Sequence, residues 1–168
     1  MTLLDSLTEF VKSNMPKRAM EGFESLMDEV RFEPAARDLG AGQYRLSIMQ
    51  YTVTLEWARF PFRVYDPQIA MALVQVWYMT EGAKAMDSIN MNWELPEIDV
   101  ELREDETAIV LITGSLSEPM DLLEDPAGPI PFDGRRWSLA KSSVWVAEQL
   151  TMFVGSGDGT WPVQSEVS

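Results

Sequence analysis

An α+β fold, a mixed or antiparallel sheet flanked by helices in one domain, is predicted here by three features of the sequence. Apolar and polar residues alternate strictly from Met49 to Trp57. Asp66-Pro67 then opens a helix with apolar side chains on nearly every face. An alternating run at Ile98 to Leu102 and a β-rich run at Ala108 to Thr113 flank Glu104-Asp105-Glu106-Thr107 and read as a hairpin. With 168 residues, 46% of them hydrophobic, the chain can bury a core without staples.

At the amino end Leu3, Leu4, Leu7, Phe10 and Val11 repeat at helical spacing after Thr2, which predicts a helix from about Leu3 to Ser13, stopped near Asn14 and Pro16. Residues Lys17 to Met27 are helix-compatible, with Met20, Phe23, Leu26 and Met27 roughly on one side, although Gly22 weakens that pattern. Glu29 to Glu33 alternates like a short strand halted by Pro34, and Gly40 and Gly42 place a turn in Asp38 to Gln43.

The next strand puts Met49, Tyr51, Val53, Leu55 and Trp57 on one face and Gln50, Thr52, Thr54 and Glu56 on the other. Leu46 and Ile48 have the opposite parity, so a bulge near Ile48 to Gln50, or a covered second face there, is expected. Phe60-Pro61-Phe62 ends the strand. Asp66 as N-cap with Pro67 at the first helical position starts a helix that runs to about Thr80, closed by Glu81-Gly82. Ile69, Ala72, Leu73, Val76 and Trp77 form one apolar stripe; Ala70, Met71, Val74 and Tyr78 form a second. Two stripes require two surfaces. A central helix in a monomer core would supply them, and so would a neighbouring subunit; the small size of the domain favours the latter.

Ala83 to Glu94 reads as a loop with room for short structure, its return anchored by Trp93 and Leu95. Ile98, Val100 and Leu102 define a strand with Glu97, Asp99, Glu101 and Arg103 facing outward, and Ala108 to Thr113 is its return partner. From Ser117 to Gly134 four prolines break regular structure into an extended excursion. Trp137 to Leu139 and Val144 to Val154 suit further strands, the second equally a short helix. Residues 1–154 then make the domain, and the glycine-rich 155–159 begins a flexible arm over 155–168.

The absence of cysteine removes disulfides and thiolate chemistry, and the absence of histidine leaves acid/base work to a shifted carboxylate or lysine. A net charge of -14 disfavours gripping nucleic acid, which needs clustered Lys and Arg. Asp5 and Glu9 interrupt the amino end as a secretory signal, and Ile69 to Met79 is short for a membrane span, so a soluble chain of intracellular origin is expected.

No phosphate-cradling loop or nucleophile elbow occurs, so no catalytic residue, cofactor or metal is assigned and the chain is expected not to be an enzyme. Glu97, Asp99 and Glu101 with Glu104, Asp105 and Glu106 could in principle meet a hard cation such as magnesium, and a solvated hairpin face explains them without one. Arg135-Arg136-Trp137 suits a phosphate contact, but against this net charge it more readily pairs with carboxylates of the same or an adjacent subunit. Six tryptophans exceed the needs of one small core and fit interfaces.

The strand Tyr51-Thr52-Val53-Thr54-Leu55, the Phe60-Pro61-Phe62 turn, the helix from Asp66-Pro67 to Trp77 and the pair Ile98 to Leu102 and Ala108 to Ile112 together resemble the tail-completion, or tail-terminator, family of contractile-tailed bacteriophages, over residues 44 to 116. The resemblance implies a structural virion protein, made in the host cytoplasm, that closes as a homohexameric ring on the head-proximal end of the tail. Such a ring stops tube and sheath polymerisation and joins the neck. Its partners would be its own copies, tail tube and sheath proteins and neck or head connector proteins, with DNA only passing through the lumen and no membrane. In that setting Phe60, Phe62, Met71, Val74 and Tyr78 are the expected subunit interface, and Trp161, Pro162 and Val163 the expected partner-contacting arm. Another neck connector, such as a head-completion or joining protein, and a non-viral acidic adaptor are the alternatives.

Overall fold

Two strands of 18 residues each, β1 (Phe23–Gly40) and β2 (Gln43–Phe60), form an antiparallel hairpin about 60 Å long at roughly 3.3 Å per residue. Gly40, Ala41 and Gly42 turn it with positive φ at all three positions. The computed structural model describes residues 2–140. The strand or helix expected at Val144 to Val154, the 155–159 linker and the arm with Trp161, Pro162 and Val163 lie outside the described residues.

β2 is central because both its edges are used. It pairs β1 on one side and β4 (Ala108–Glu124) on the other, and β4 pairs β3 (Glu97–Leu102) near its start and β6 (Arg135–Leu139) near its end. β5 (Ile130–Phe132) adds to β6, and every pairing is antiparallel. The α+β architecture is therefore an antiparallel sheet with helices packed on one face.

α1 (Leu3–Ser13) starts with a capping box in which the Thr2 hydroxyl accepts from the Asp5 N–H and the Asp5 carboxylate accepts from the Thr2 N–H. Its stripe Leu3, Leu4, Leu7 and Val11 is buried. α2 (Pro67–Trp77) is capped by Asp66, whose carboxylate accepts from the Gln68 N–H. These helices cover Tyr51, Val53, Leu55, Trp57 and Phe60 of β2 and Ala108, Val110, Ile112 and Leu116 of β4, which share one core.

Several local expectations are corrected. Lys17 to Met27 is not a helix: a single 3-10 turn, Lys17–Met20, gives way at Gly22, whose φ of +74° no helix accepts, and β1 begins at Phe23. β1 does not stop at Pro34, because it is the outer strand of the sheet and a proline there removes no ladder bond. Of the two readings of the parity change, the covered second face holds for Ile48, which keeps the parity opposite to Tyr51 and is buried, while a bulge lies at Leu46 rather than at Ile48 to Gln50. The helix after Pro67 does not end at Glu81-Gly82. It widens through a π turn, Tyr78–Gly82, and continues as α3 (Ala83–Asp87), a short element of the kind the sequence allows within the span read as loop. Gly82 is helical, and it is small because the Trp77 ring lies 2.9 Å from where its Cβ would be.

The proline-rich run is likewise only partly an excursion, since β4 passes straight through Ser117, Pro119 and Met120 to Glu124. Along β4 the Ser115 carbonyl accepts from Tyr78 and the Asp121 carbonyl from Ala140, both on the edge away from β2. Pro119 shares their parity, so its nitrogen faces the same edge, between the last β3 pair at Thr113 and the first β6 pair at Leu122. No strand among the described residues needs a donor there.

Candidate interaction surface

The inward stripe of α2 is Ala70, Val74 and Trp77, continued by Tyr78, and all four are buried. Polar tips decide the choice of stripe: the Trp77 indole N–H donates to Ser6 Oγ at 3.2 Å and the Tyr78 hydroxyl to the Ser115 carbonyl at 3.3 Å, so both aromatics are satisfied inside. Ile69, Val76 and Met79 then point outward at 42%, 48% and 59% exposure, with exposed Ala72 between them. The helix is apolar on two sides, in keeping with its sequence, and one of those sides has no cover within the described residues.

This rearranges the expected interface. Phe60, Val74 and Tyr78 have no exposed surface and belong to the monomer core, while Phe62 and Met71 are half-buried. Phe60 is drawn in by the register shift between Trp57 and Phe60, which returns its side chain to the core face, where it meets the Trp57 ring edge-on. Of the stripe that Ile69 heads, Ile69, Ala72 and Val76 are left outside, whereas Leu73 packs against the core and Trp77 is buried in it.

A second arrangement is not visible in the sequence. Glu118 of β4 is buried, and its carboxylate accepts from the Leu3 N–H at 3.0 Å and from the Tyr51 hydroxyl. The Tyr51 oxygen in turn accepts from the Leu4 N–H at 3.3 Å. Two donors that the first turn of α1 leaves unpaired are thus met by side chains of the sheet, where the helix dipole also favours negative charge. Burial nevertheless raises the Glu118 pKa, against the lowering effect of the Tyr51 and Leu3 hydrogen bonds, and burial also raises that of Tyr51, with Glu118 adding to it. An acid at an even position among Ile112, Leu116 and Leu122 is the sequence signal; Pro119 hides it by suggesting that the strand has ended.

The remaining charged motifs are structural. Asp105 accepts from the Thr107 N–H and hydroxyl, which closes the β3–β4 turn and holds its carboxyl below the usual range. Glu97, Asp99 and Glu101 lie along one face of β3, and among the described residues no group of acids is placed to hold a metal ion. Trp137 is buried in a small aromatic cluster with Phe132, and Tyr44 packs on Phe132 in turn. Arg135 lies over the Trp137 ring and bonds Glu124 at 3.1 Å, and Arg136 donates to the Gly128 carbonyl. The arginine pair therefore serves the chain's own carboxylate and backbone. No helix among the described residues is long and apolar enough to cross a membrane.

A helix-covered sheet with an apolar stripe on its outer flank and a long bare hairpin defines an α+β protein that offers surfaces to other molecules. The chain belongs to the P2 phage tail completion protein R (GpR) family, whose model matches residues 1–141. It is also similar to an uncharacterized 19.2 kDa protein from the rep-hol intergenic region of Haemophilus phage HP1 (strain HP1c1), 26% identical over 152 residues that cover 90% of each chain. No solved structure matches it. The family places the chain among phage tail completion proteins.

Proposed function

We propose that the chain is the tail terminator: a homohexameric ring that caps the head-proximal end of the tail, stops tube and sheath growth and presents a surface to the neck. Membership of the tail completion family supports the role. The observation that carries the assembly is the outer stripe of α2, Ile69, Val76 and Met79, which is apolar and uncovered among the described residues. Half-buried Phe62 and Met71 extend the contact, and Phe60, Val74 and Tyr78 support it from beneath as core. In this reading the ring's work needs no reaction and no cofactor, and DNA only passes through its lumen. The arm around Trp161, Pro162 and Val163 latches onto an adjoining subunit or ring.

Mass in solution, with electron microscopy of the chain added to terminator-free tails, tests this. The wild-type chain should form rings alone or on tails, and the double variant Ile69→Glu, Val76→Glu should keep its circular dichroism but stay single in both settings. A wild-type chain that remains a monomer at high micromolar concentration and leaves tails bare ends the proposal. Rings formed equally well by the double variant would remove α2 from the interface.

A further inference from the structure

On the distal part of the β1–β2 hairpin, a trough of about 480 Å3 opens on the parity opposite to Tyr51. Buried Ile48 lies in it, Glu33, Ala36, Arg37 and Arg45 line it from the hairpin, and Ile89 and Met91 line it from the turn after α3. Arg45 is held by Asp121 through two contacts of 2.8 and 3.1 Å. Arg37 makes no ion pair among the described residues.

Ala140, the last described residue, donates its N–H to the Asp121 carbonyl at 2.9 Å. The described chain therefore ends against the outer edge of β4, beside the residue that fixes Arg45 and one strand away from the hairpin wall of the trough. Its sequence continues as Lys141-Ser142-Ser143-Val144-Trp145-Val146, so Trp145 is within about 17 Å of Ala140 even if fully extended. From Ser142 to Ser168 the sequence has no Lys or Arg and carries Glu148, Asp158 and Glu166. An apolar anchor followed by an acid matches the Ile48, Ile89 and Met91 side chains and Arg37, which makes no ion pair among the described residues, with Glu33 the one carboxylate beside them.

We propose that this trough seats Val144-Trp145-Val146 of the same chain, with the indole over Ile48 and Met91 and Glu148 reaching Arg37. A guanidinium beside an indole adds attraction to the burial of the ring. The site lies on the opposite face of the sheet from α2 and does not depend on the ring.

The chain has no cysteine, so a cross-link can be placed cleanly. Ala36 is exposed, and the pair Ala36→Cys, Val146→Cys should oxidise at low micromolar concentration to a species of single-chain mass with both thiols consumed. A disulfide between two chains would give the trough to another copy, and retention of both thiols would leave it without this occupant; either result overturns the proposal. Hydrogen exchange on the unmodified chain is the second measurement. Amides of Val144 to Val146 should exchange at least about ten-fold more slowly than those of Ser156 and Gly157, and Trp145→Ala should remove the difference. Equal rates in the wild-type chain would also overturn it.

Discussion

From Tyr51 to Phe60 the inward side chains of β2 lie under α1 and α2 and are almost all enclosed, whereas from Gln43 to Met49 the same strand lies in a ribbon with only Ile48 buried. The contrast is sharper in β1: Phe23 and Met27 pack against the core, but past the left-handed residue Glu29 the strand is largely exposed and Phe32 shows 62% of its surface. Covered sheet is held by packing. The ribbon beyond is held mainly by its ladder, a few cross-strand pairs such as Arg45 with Asp121, and the Trp137, Phe132 and Tyr44 cluster at its end. One strand is thus the enclosed centre of the domain at one end and part of an open sheet at the other.

The largest effect that separates the two regions is expected at Trp77, which is fully enclosed, donates to Ser6 and fills the space that keeps residue 82 a glycine. Trp77→Ala should cost about 3–5 kcal/mol in urea unfolding through the lost contacts and the cavity left behind. A value under about 1 kcal/mol, within the range of surface changes, would mean that the helices are not the cover on which the proximal sheet depends.

Most of the covered half was legible because its signals are local. Thr2 and Asp66 cap helices with their own side chains, and alternation in Met49 to Trp57 reads out the face that meets the helices. What misled were residues whose meaning depends on a neighbour distant in sequence. Pro34 and Pro119 look like strand breakers, yet each sits where the sheet asks for no N–H. Gly82 looks like a helix stop and is instead a point of close approach to Trp77. That Trp77 and Tyr78, one from each stripe of α2, both turn inward was settled by Ser6 and Ser115, partners that no helical periodicity reveals. The doubly apolar character of that helix was readable; the choice of its outer face was not.

Glu118 marks the boundary between the regions, because it joins the start of α1 to the last covered stretch of β4. Its folded-state pKa is raised by burial, so the folded protein holds that proton more tightly than the unfolded chain does. Stability from this group therefore grows as pH falls from neutrality through the raised value toward the ordinary glutamate range, and is lost as pH rises again. Glu118→Gln should abolish this part of the pH dependence and be no less stable than wild type at pH 7. The difference in unfolding free energy between the two proteins, measured from pH 7.5 down to 4.5, isolates it from the other carboxylates. A wild-type advantage that grows with pH would reverse the assignment and make the charged form the stabilising one.

The smallest effect belongs to the bare ribbon. Phe32→Ala removes a large side chain that buries little, and should change stability by less than about 0.5 kcal/mol. A single-chain loss of about 2 kcal/mol or more, approaching that expected for an enclosed aromatic, would show that something in the same polypeptide covers Phe32. That result would erase the difference between the two ends of β1. If the loss is small alone but tail completion fails with the variant, Phe32 is spent on a partner, and the ribbon's exposure is the feature on which its role depends.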